Sequence, residues 1–283
     1  MTELVLSLFP GIGLLDRGFE EAGFCVTRGP DPLWGGDIRK FNPPAGKFTG
    51  VIGGPPCQKF STANPFRDVA GGMELVNEFL RVTKQAGPDW ALMENVAGSP
   101  TVTMPGMVTQ LFTLNASQVG SDQHRLRKFH FFHKAGTPEL IIRRLKCDGS
   151  RHIQRTCMAS EGNTSGRSGG RRVKRRSWAE FCRLQGLPAD FDLPGFTIRA
   201  KYQAVGNGVP FEMACALAKA IRGRDRGVTP HRVCECGCGQ YVHGAARLAG
   251  AACRKRMQRL RDAAPSCDAP AAQSNLKLEM ETT

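Results

Sequence analysis

An open α/β sheet is the fold class this sequence predicts, and three observations predict it. Short apolar runs at Leu4-Val5-Leu6-Ser7-Leu8-Phe9, Phe48-Thr49-Gly50-Val51-Ile52 and Trp90-Ala91-Leu92-Met93 have the length and character of buried strands. Stretches with helical spacing follow them, at Leu14 to Ala22 and Met73 to Gln85. Residues with chemical potential, Cys57 and Glu94, fall just past the second and third of these runs. That is where open α/β sheets gather their sites, at the carboxyl ends of strands.

The 283 residues can bury one substantial core and carry one or two small additions. A composition of 41% hydrophobic and 23% charged residues is that of a soluble globular protein. No run approaches the roughly 18 apolar residues of a membrane span, so no membrane partner is expected. The start, Met1-Thr2-Glu3-Leu4-Val5, lacks the basic region and cleavage site of a signal peptide, and the expected location is the cytoplasm. The eleven cysteines are then expected as thiols or metal ligands rather than disulfides.

After the first strand, Pro10-Gly11-Ile12-Gly13 is a glycine turn leading into a helix. Strand, Gly-x-Gly turn and helix offer backbone N–H groups and a helix N-terminus to a nucleotide-like ligand. Gly23-Phe24-Cys25-Val26-Thr27 reads as a second strand, with Asp31 shortly after it, where an acidic residue commonly takes ribose hydroxyls. Asp37 follows only six residues later, which leaves no room for a full helix.

Gly53-Gly54-Pro55-Pro56-Cys57-Gln58-Lys59-Phe60-Ser61 then breaks the third strand and leaves Cys57 at its end. A thiol there is either a nucleophile, reactive as thiolate, or a small buried cysteine in a Pro-Gly turn. Glu94-Asn95-Val96 ends a strand parallel to the one that delivers Cys57, so Glu94 either converges on the same crevice or is a surface acid. Gln123, Arg125 and Arg127 alternate along an extended segment and share one side of it. They can hold a phosphate, a carboxylate or a base edge, or be plain exposed strand charges. Ser177 to Gly186 has an N-cap, helical spacing and a terminating glycine. Gly206-Asn207-Gly208-Val209-Pro210 reads as a tight loop before a helix over Phe211 to Ile221.

The net charge of +14 is confined. Residues 134–176 hold 12 Lys/Arg against 3 Asp/Glu, and residues 231–262 hold 7 against 2, while the remainder balances at 20 and 20. Such confinement points to a polyanion, nucleic acid first, with a solvated basic surface as the alternative. Ser160 to Gly170 is rich in Gly, Ser, Thr and Asn and precedes a basic run at Arg171 to Arg176, as in an inserted nucleic-acid-contacting region.

Cys234-x-Cys236-x-Cys238, followed by Cys253 and a basic helix, reads as a small zinc site, with His243 able to replace one ligand. The alternative is four unligated thiols in a basic tail. The expected organisation is a main α/β part over 1–133, an inserted nucleic-acid-contacting region over 134–176, a return to the main part over 177–224, a zinc-binding basic module over 231–262 and a disordered tail over 263–283.

With these pieces in order, residues 4–222 resemble the DNA cytosine-5 methyltransferases of bacteria and phages. Leu8-Phe9-Pro10-Gly11-Ile12-Gly13 resembles their first S-adenosylmethionine motif, and Gly53 to Ser61 their nucleophile motif. Glu94-Asn95-Val96 and Gln123-x-Arg125-x-Arg127 resemble the next two, and Arg176 to Pro188 and Gly206 to Pro210 the last two. The resemblance implies a doubly wound, mostly parallel, Rossmann-like sheet with a short inserted recognition region. It implies methyl transfer from S-adenosylmethionine to carbon 5 of a flipped cytosine in duplex DNA, with Cys57 adding to carbon 6. Glu94 would bind N3 and the exocyclic amine, Arg127 would reach the base carbonyl and hold Glu94, and Arg125 would support the pocket. For the cofactor, Phe9 would stack on adenine, Gly11 and Gly13 would let the backbone approach, and Asp37 and Ile38 would meet the adenine edge. Pro56, Asn207 and Val209 would line or close the pocket, with Asp31 toward the ribose and Trp34 as a stacking partner.

Two alternatives accompany it: methylation of tRNA, because one branch of the family keeps the same motifs, and a non-catalytic DNA-binding relative. A monomer in a bacterial or phage-infected cell is expected, with a cognate restriction endonuclease as the implied protein partner. Three features depart from the family pattern. Ser7 stands where the family usually has Asp, Leu14 replaces a glycine, and the helix after the second strand is missing.

Overall fold

The computed structural model describes residues 3–56, 59–60, 68–145, 152–163, 167–168, 171–172, 175–225, 232–233, 236, 241–242, 248 and 250–262. The chain forms two compact units, Met1–Pro230 and His231–Thr283.

In the first unit the described residues build a six-stranded sheet. Chain order is β1 (Leu4–Leu8), α1 (Leu14–Glu21), β2 (Cys25–Arg28), β3 (Gly50–Gly53), α2 (Val69–Ala86), β4 (Trp90–Val96), β5 (Val108–Asn115) and β6 (Leu126–His133). Strand order across the sheet is β2-β1-β3-β4-β6-β5. The pairs β1–β2, β1–β3 and β3–β4 are parallel, whereas β4–β6 and β5–β6 are antiparallel. Five strands thus share a direction and β6 opposes them. The sheet is mostly parallel, as expected, and is mixed only through β6: β5 and β6 are consecutive and joined by a short connection, which only antiparallel partners allow. Between β2 and β3 the chain makes two single 3-10 turns, Pro32–Trp34 and Ile38–Lys40, in place of a full helix.

The side-chain alternation of the strands sorts the core onto two faces. Val5, Ile52, Leu92, Phe129 and Phe131 pack with Phe19 of α1 and with Met213, Leu217 and Ile221 of a later helix. Leu6, Leu8, Val51, Ala91, Met93 and Phe132 pack with Val76, Phe79 and Val82 of α2. Layers on both faces make the sheet doubly wound and bury the strands that carry the glycine turns.

Beyond β6, a short antiparallel pair, β7 (Arg167–Ser168) and β8 (Arg171–Arg172), precedes α3 (Trp178–Leu184), α4 (Ile198–Asn207) and α5 (Phe211–Asp225). Ser177 caps α3 as expected, accepting from Glu180 N at 3.3 Å. Helix α4 is a difference from the sequence reading. Thr197 caps it through Ala200 N at 3.3 Å, and Gly206 and Asn207 are its last turn rather than part of a loop. Helix α5 lies against α1 at Gly18, where a Cβ would stand 2.4 Å from that of Ala214. No helix among the described residues is long and apolar enough to cross a membrane.

In the second unit β9 (Arg232–Val233) pairs antiparallel with β10 (Tyr241–Val242), and α6 covers Ala251–Asp262. Cys236 and Cys253 are buried together there, with Leu248 and Met257 packed against them. The tail expected to be disordered, 263–283, lies outside the described residues.

Candidate active site

The carboxyl ends of β1, β3 and β4 open into a cavity of about 410 Å³. Its apolar wall includes Leu8, Phe9, Ile12, Leu14, Leu15, Leu33 and Val209, and its polar side chains include Ser7, Asp31, Glu94, Gln203 and Asn207. This size, with a few polar groups set in an apolar lining, suits a drug-sized organic ligand. Phe9 sits at φ 55° and is the one described non-glycine residue with positive φ. Backbone strain of that kind is tolerated where the surroundings enforce it, commonly at a binding site.

Asp31 and Trp34 brace the glycine turn. Gly11 N donates to Asp31 Oδ2 at 2.8 Å, Leu33 N donates to Asp31 Oδ1 at 2.7 Å, and Trp34 Nε1 donates to Gly11 O at 2.7 Å. Asp31 therefore reaches the cavity while already holding two backbone N–H groups. Trp34 rests edge-on against Phe196 and is not part of the wall. Gly13 begins α1 at φ 79°, with the Arg28 guanidinium filling the space a Cβ would need.

Glu94 projects from β4 to the cavity's inner end. Its carboxylate pairs with Arg127 Nε at 2.8 Å, and both side chains are largely buried, at 9% and 15% exposed. A Cβ on Gly54 would come within 3.0 Å of Glu94 Oε2, so the cysteine loop leaves its strand directly against this carboxylate. Asn95 Nδ2 donates to Pro55 O at 3.4 Å and ties the same two segments. Burial pushes the Glu94 carboxyl above its ordinary range, and the Arg127 and Arg125 charges offset only part of that.

Gln123 and Arg125 turn inward instead of toward a ligand. Arg125 donates to the carbonyls of Cys157, Gly206 and Gly208 at 2.8, 2.9 and 3.0 Å. Gln123 donates to Leu184 O at 2.5 Å and to Gln185 Oε1 at 2.6 Å.

The family of C-5 cytosine-specific DNA methylases matches residues 32–102 and 141–223, a little over half of the chain. The chain belongs to this family. Among curated proteins it is 33% identical over 159 residues to the Type II methyltransferase M.NgoPII of Neisseria gonorrhoeae, covering 44% of this chain and 46% of that protein. It is 40% identical over 127 residues to M.AquIA of Picosynechococcus, covering 35% of this chain and 50% of that one. The chain thus spans about half the length of these relatives. Two solved structures share the fold. The Entamoeba histolytica methyltransferase EhMeth aligns at TM-score 0.57 and 14% identity, over 81% of this chain and all of that one. Spodoptera frugiperda DNMT2 aligns at TM-score 0.51 and 15% identity, over 78% of this chain and all of that one.

Of the residues expected to form the site, Phe9, Gly11, Asp31, Pro56, Glu94, Asn207 and Val209 line one cavity. Gly13, Asp37 and Ile38 are not among its lining residues. Asp37 caps the second 3-10 turn and accepts from Arg39 N at 3.1 Å and Arg39 Nε at 3.0 Å, which holds its carboxyl below the usual range. Ile38 is buried in the core beside α2. Cys57 lies outside the described residues, as do Cys234, Cys238 and His243.

Several residues in and behind this cavity escaped the sequence reading. Ala200, Gln203 and Ala204 line the cavity from α4. Their signal was Thr197, an N-cap residue followed by apolar positions at helical spacing. Asp16 is fully buried behind the glycine turn, where it accepts from Ser7 Oγ at 2.6 Å and Arg28 Nε at 2.8 Å. Burial raises the Asp16 carboxyl, and the Ser7 and Arg28 bonds work against that rise. Leu14, the departure from the glycine motif, packs where Gly208 has no side chain: a Cβ there would meet Leu14 Cδ1 at 2.3 Å.

The basic insert is partly self-neutralised. Glu161 is buried and pairs with Arg155 at 2.8 Å and Arg176 at 2.6 Å, and Tyr202 OH donates to Arg176 O at 2.6 Å. Arg155 and Arg176 anchor the base of the insert rather than adding to an open cationic surface.

Proposed function

We propose that the chain transfers a methyl group from S-adenosylmethionine to carbon 5 of a cytosine in duplex DNA. One observation carries this reading: a buried carboxylate, Glu94, fixed by Arg127 against the exit of the Cys57 loop, at the end of a cavity sized for the methyl donor. The donor supplies an electrophilic methyl group when bound. The cavity fits it, because Phe9 offers a ring face, Asp31 and Asn207 offer polar contacts, and Leu8, Leu14 and Val209 exclude water.

Carbon 5 of cytosine is a poor nucleophile. Addition of the Cys57 thiolate to carbon 6 forms a C–S bond and moves electron density toward carbon 5 and N3. A Glu94 carboxyl raised by burial is suited to hold a proton at N3 as that density builds. Arg127 keeps the carboxyl in place and presents a cation to the base carbonyl. After methylation, a base takes the carbon 5 proton, the carbon 6–sulfur bond breaks with its electron pair returning to Cys57 as thiolate, and N3 gives its proton back to the Glu94 carboxylate, which restores the aromatic ring. The target base must leave the helix to reach these groups, at a cost of a few kcal/mol. Residues 134–176 are assigned to hold the DNA, through those cations not engaged by Glu161.

Transfer of labelled methyl groups to unmodified duplex DNA is the test. Cys57→Ala and Glu94→Gln are each expected to lower turnover at least about 100-fold, while binding of S-adenosylhomocysteine persists. Turnover surviving Cys57→Ala overturns the mechanism.

For the second unit, the proposal is a structural zinc site. Its described core is only Cys236, Cys253, Leu248 and Met257, and units this small need a staple. Cys234 and Cys238 complete four thiols in a 20-residue span of the sequence. Among the described residues no three metal-ligating side chains cluster, and both of those cysteines lie outside them. Metal analysis of the purified full chain is expected to find one zinc per chain, lost in Cys253→Ser. Substantially less than one zinc in the unaltered protein overturns the assignment.

A further inference from the structure

Helix α4 has two occupied faces. Ala200, Gln203, Ala204 and Asn207, at spacings of three, four and seven, line the cavity. Arg199, Tyr202 and Gly206 meet the base of the insert on the other side. The approach there is at backbone contact. A Cβ on Gly162 would stand 2.8 Å from Arg199 Cα and 3.0 Å from Tyr202 Cβ, and one on Gly206 would stand 2.7 Å from Ala159 N. The single turn Ala159–Gly162 is thereby pressed against the back of the helix that walls the cavity.

Three buried side chains lock the C-terminal end of the same helix. The last carbonyls of a helix have no partners within it and must be satisfied from outside. Gln185 Nε2 donates to Val205 O at 2.6 Å and to Gly208 O at 3.2 Å. Arg125 takes Gly206 O and Gly208 O with one terminal nitrogen and Cys157 O with the other. Gln123 bridges the two sides, accepting from Cys157 N at 3.1 Å and donating to Gln185 Oε1 at 2.6 Å. All three side chains are at most 1% exposed. The carbonyls they hold flank Asn207 and immediately precede Val209, and both of these residues line the cavity. The peptide they hold on the other side, at Cys157, belongs to the base of the insert.

We infer that Gln185 and Gly162 are positioning residues for the methyl donor. Gln185 fixes the Asn207–Val209 wall through the carbonyl of Val205, which precedes it, and that of Gly208, which lies within it. Gly162 lets the base of the insert back α4 so closely that the cavity-lining face cannot recede. Neither residue lines the cavity. Simple core packing would give both residues a role in stability alone, whereas positioning requires that donor affinity change while the fold stays intact. The inference rests on the proposed methyl-donor reading of the cavity.

The test uses the full chain with Gly162→Ala and Gln185→Met. The first places a Cβ against the Arg199 backbone, and the second removes both carbonyl contacts while retaining most of the side-chain volume. Three readouts are needed: S-adenosylhomocysteine affinity by calorimetry without DNA, the melting temperature, and KM and kcat for the donor. Both variants are expected to weaken S-adenosylhomocysteine and raise the donor KM by about 5- to 100-fold, with kcat within about twofold. Where one variant does not fold, the other carries the test. Folded variants with unchanged affinity and KM overturn the inference, whatever their melting temperature. Absence of binding by the unaltered protein overturns the methyl-donor reading and this inference with it, so the two failures are distinguishable.

Discussion

Two buried titratable side chains give this protein opposite responses to pH. Glu94 is raised by burial more than Arg127 and Arg125 lower it, so the folded state holds its proton more tightly than the unfolded state does. The stability from that group is fully present below the unfolded carboxylate value of about 4.3. It is lost as pH rises through the higher folded value. Glu94→Gln should therefore gain melting temperature relative to the parent as pH rises from about 4 toward neutrality, even as it loses turnover. An unchanged difference across that range would contradict the burial argument. His130 runs the other way. Burial, with Lys128 adding, pushes it down to about 4, and Val102 N donates to its Nε2 at 3.3 Å. Its stabilising contribution is present above the unfolded value of about 6.5 and lost as pH falls toward about 4. His130→Gln should flatten the acid side of a melting-temperature profile without altering the loss with rising pH attributed to Glu94. Glu94 was legible in the sequence because Glu-Asn-Val ends an apolar strand. The local partner of Asp37 was not, because its carboxylate closes a 3-10 turn on Arg39 N, a side-chain-to-backbone bond that no apolar pattern announces.

The central strands were legible because they are buried. Strands β1, β3 and β4 are continuous apolar runs because the sheet is covered on both faces, and such runs stand out against polar loops. Strand β5 escaped because it is an edge strand whose residues are mostly exposed or half-buried, with Thr109 and Gln110 among them. Helix α4 escaped for a related reason: it carries small or polar residues on its cavity face and packs its other face through Gly206. Close packing between elements is nevertheless testable from single glycines. Gly50 of β3 lies beneath the Trp90 indole, and a Cβ there would come within 2.2 to 2.5 Å of three ring atoms. Trp90 is fully buried among Phe19, Phe24 and Phe131 and has no space to yield. Gly50→Ala should cost about 1–3 kcal/mol of stability, read as a lower urea midpoint with an unchanged slope. A midpoint equal to the parent's would show that the β3–β4 pair can slide apart more freely than its packing suggests.

At the scale of the whole molecule, charge and chemistry are assigned to different parts of the chain. The segments outside 134–176 and 231–262 carry equal numbers of acids and bases, so under the proposed function they offer DNA little net attraction. Attraction must come from the insert and the second unit. The insert is weaker than its 12 Lys/Arg suggest, because Arg155 and Arg176 are taken by Glu161. That shifts weight to the second unit, whose 7 Lys/Arg include Arg254, Lys255, Arg256 and Arg259 on α6, spaced to present cations around an exposed helix. Each phosphate neutralised contributes about 0.9 to the slope of log affinity against log salt. Ending the chain after Pro230, at the division between the two units, removes those cations while leaving every described cavity residue in place. The shortened protein should bind S-adenosylhomocysteine as the full chain does. Its affinity for duplex DNA, followed by anisotropy from about 50 to about 200 mM salt, should be lower at the low-salt end and decline with a slope shallower by at least about 2. Equal slopes would mean that the second unit does not touch the phosphates, and that the proposed DNA contacts rest on residues 134–176 alone.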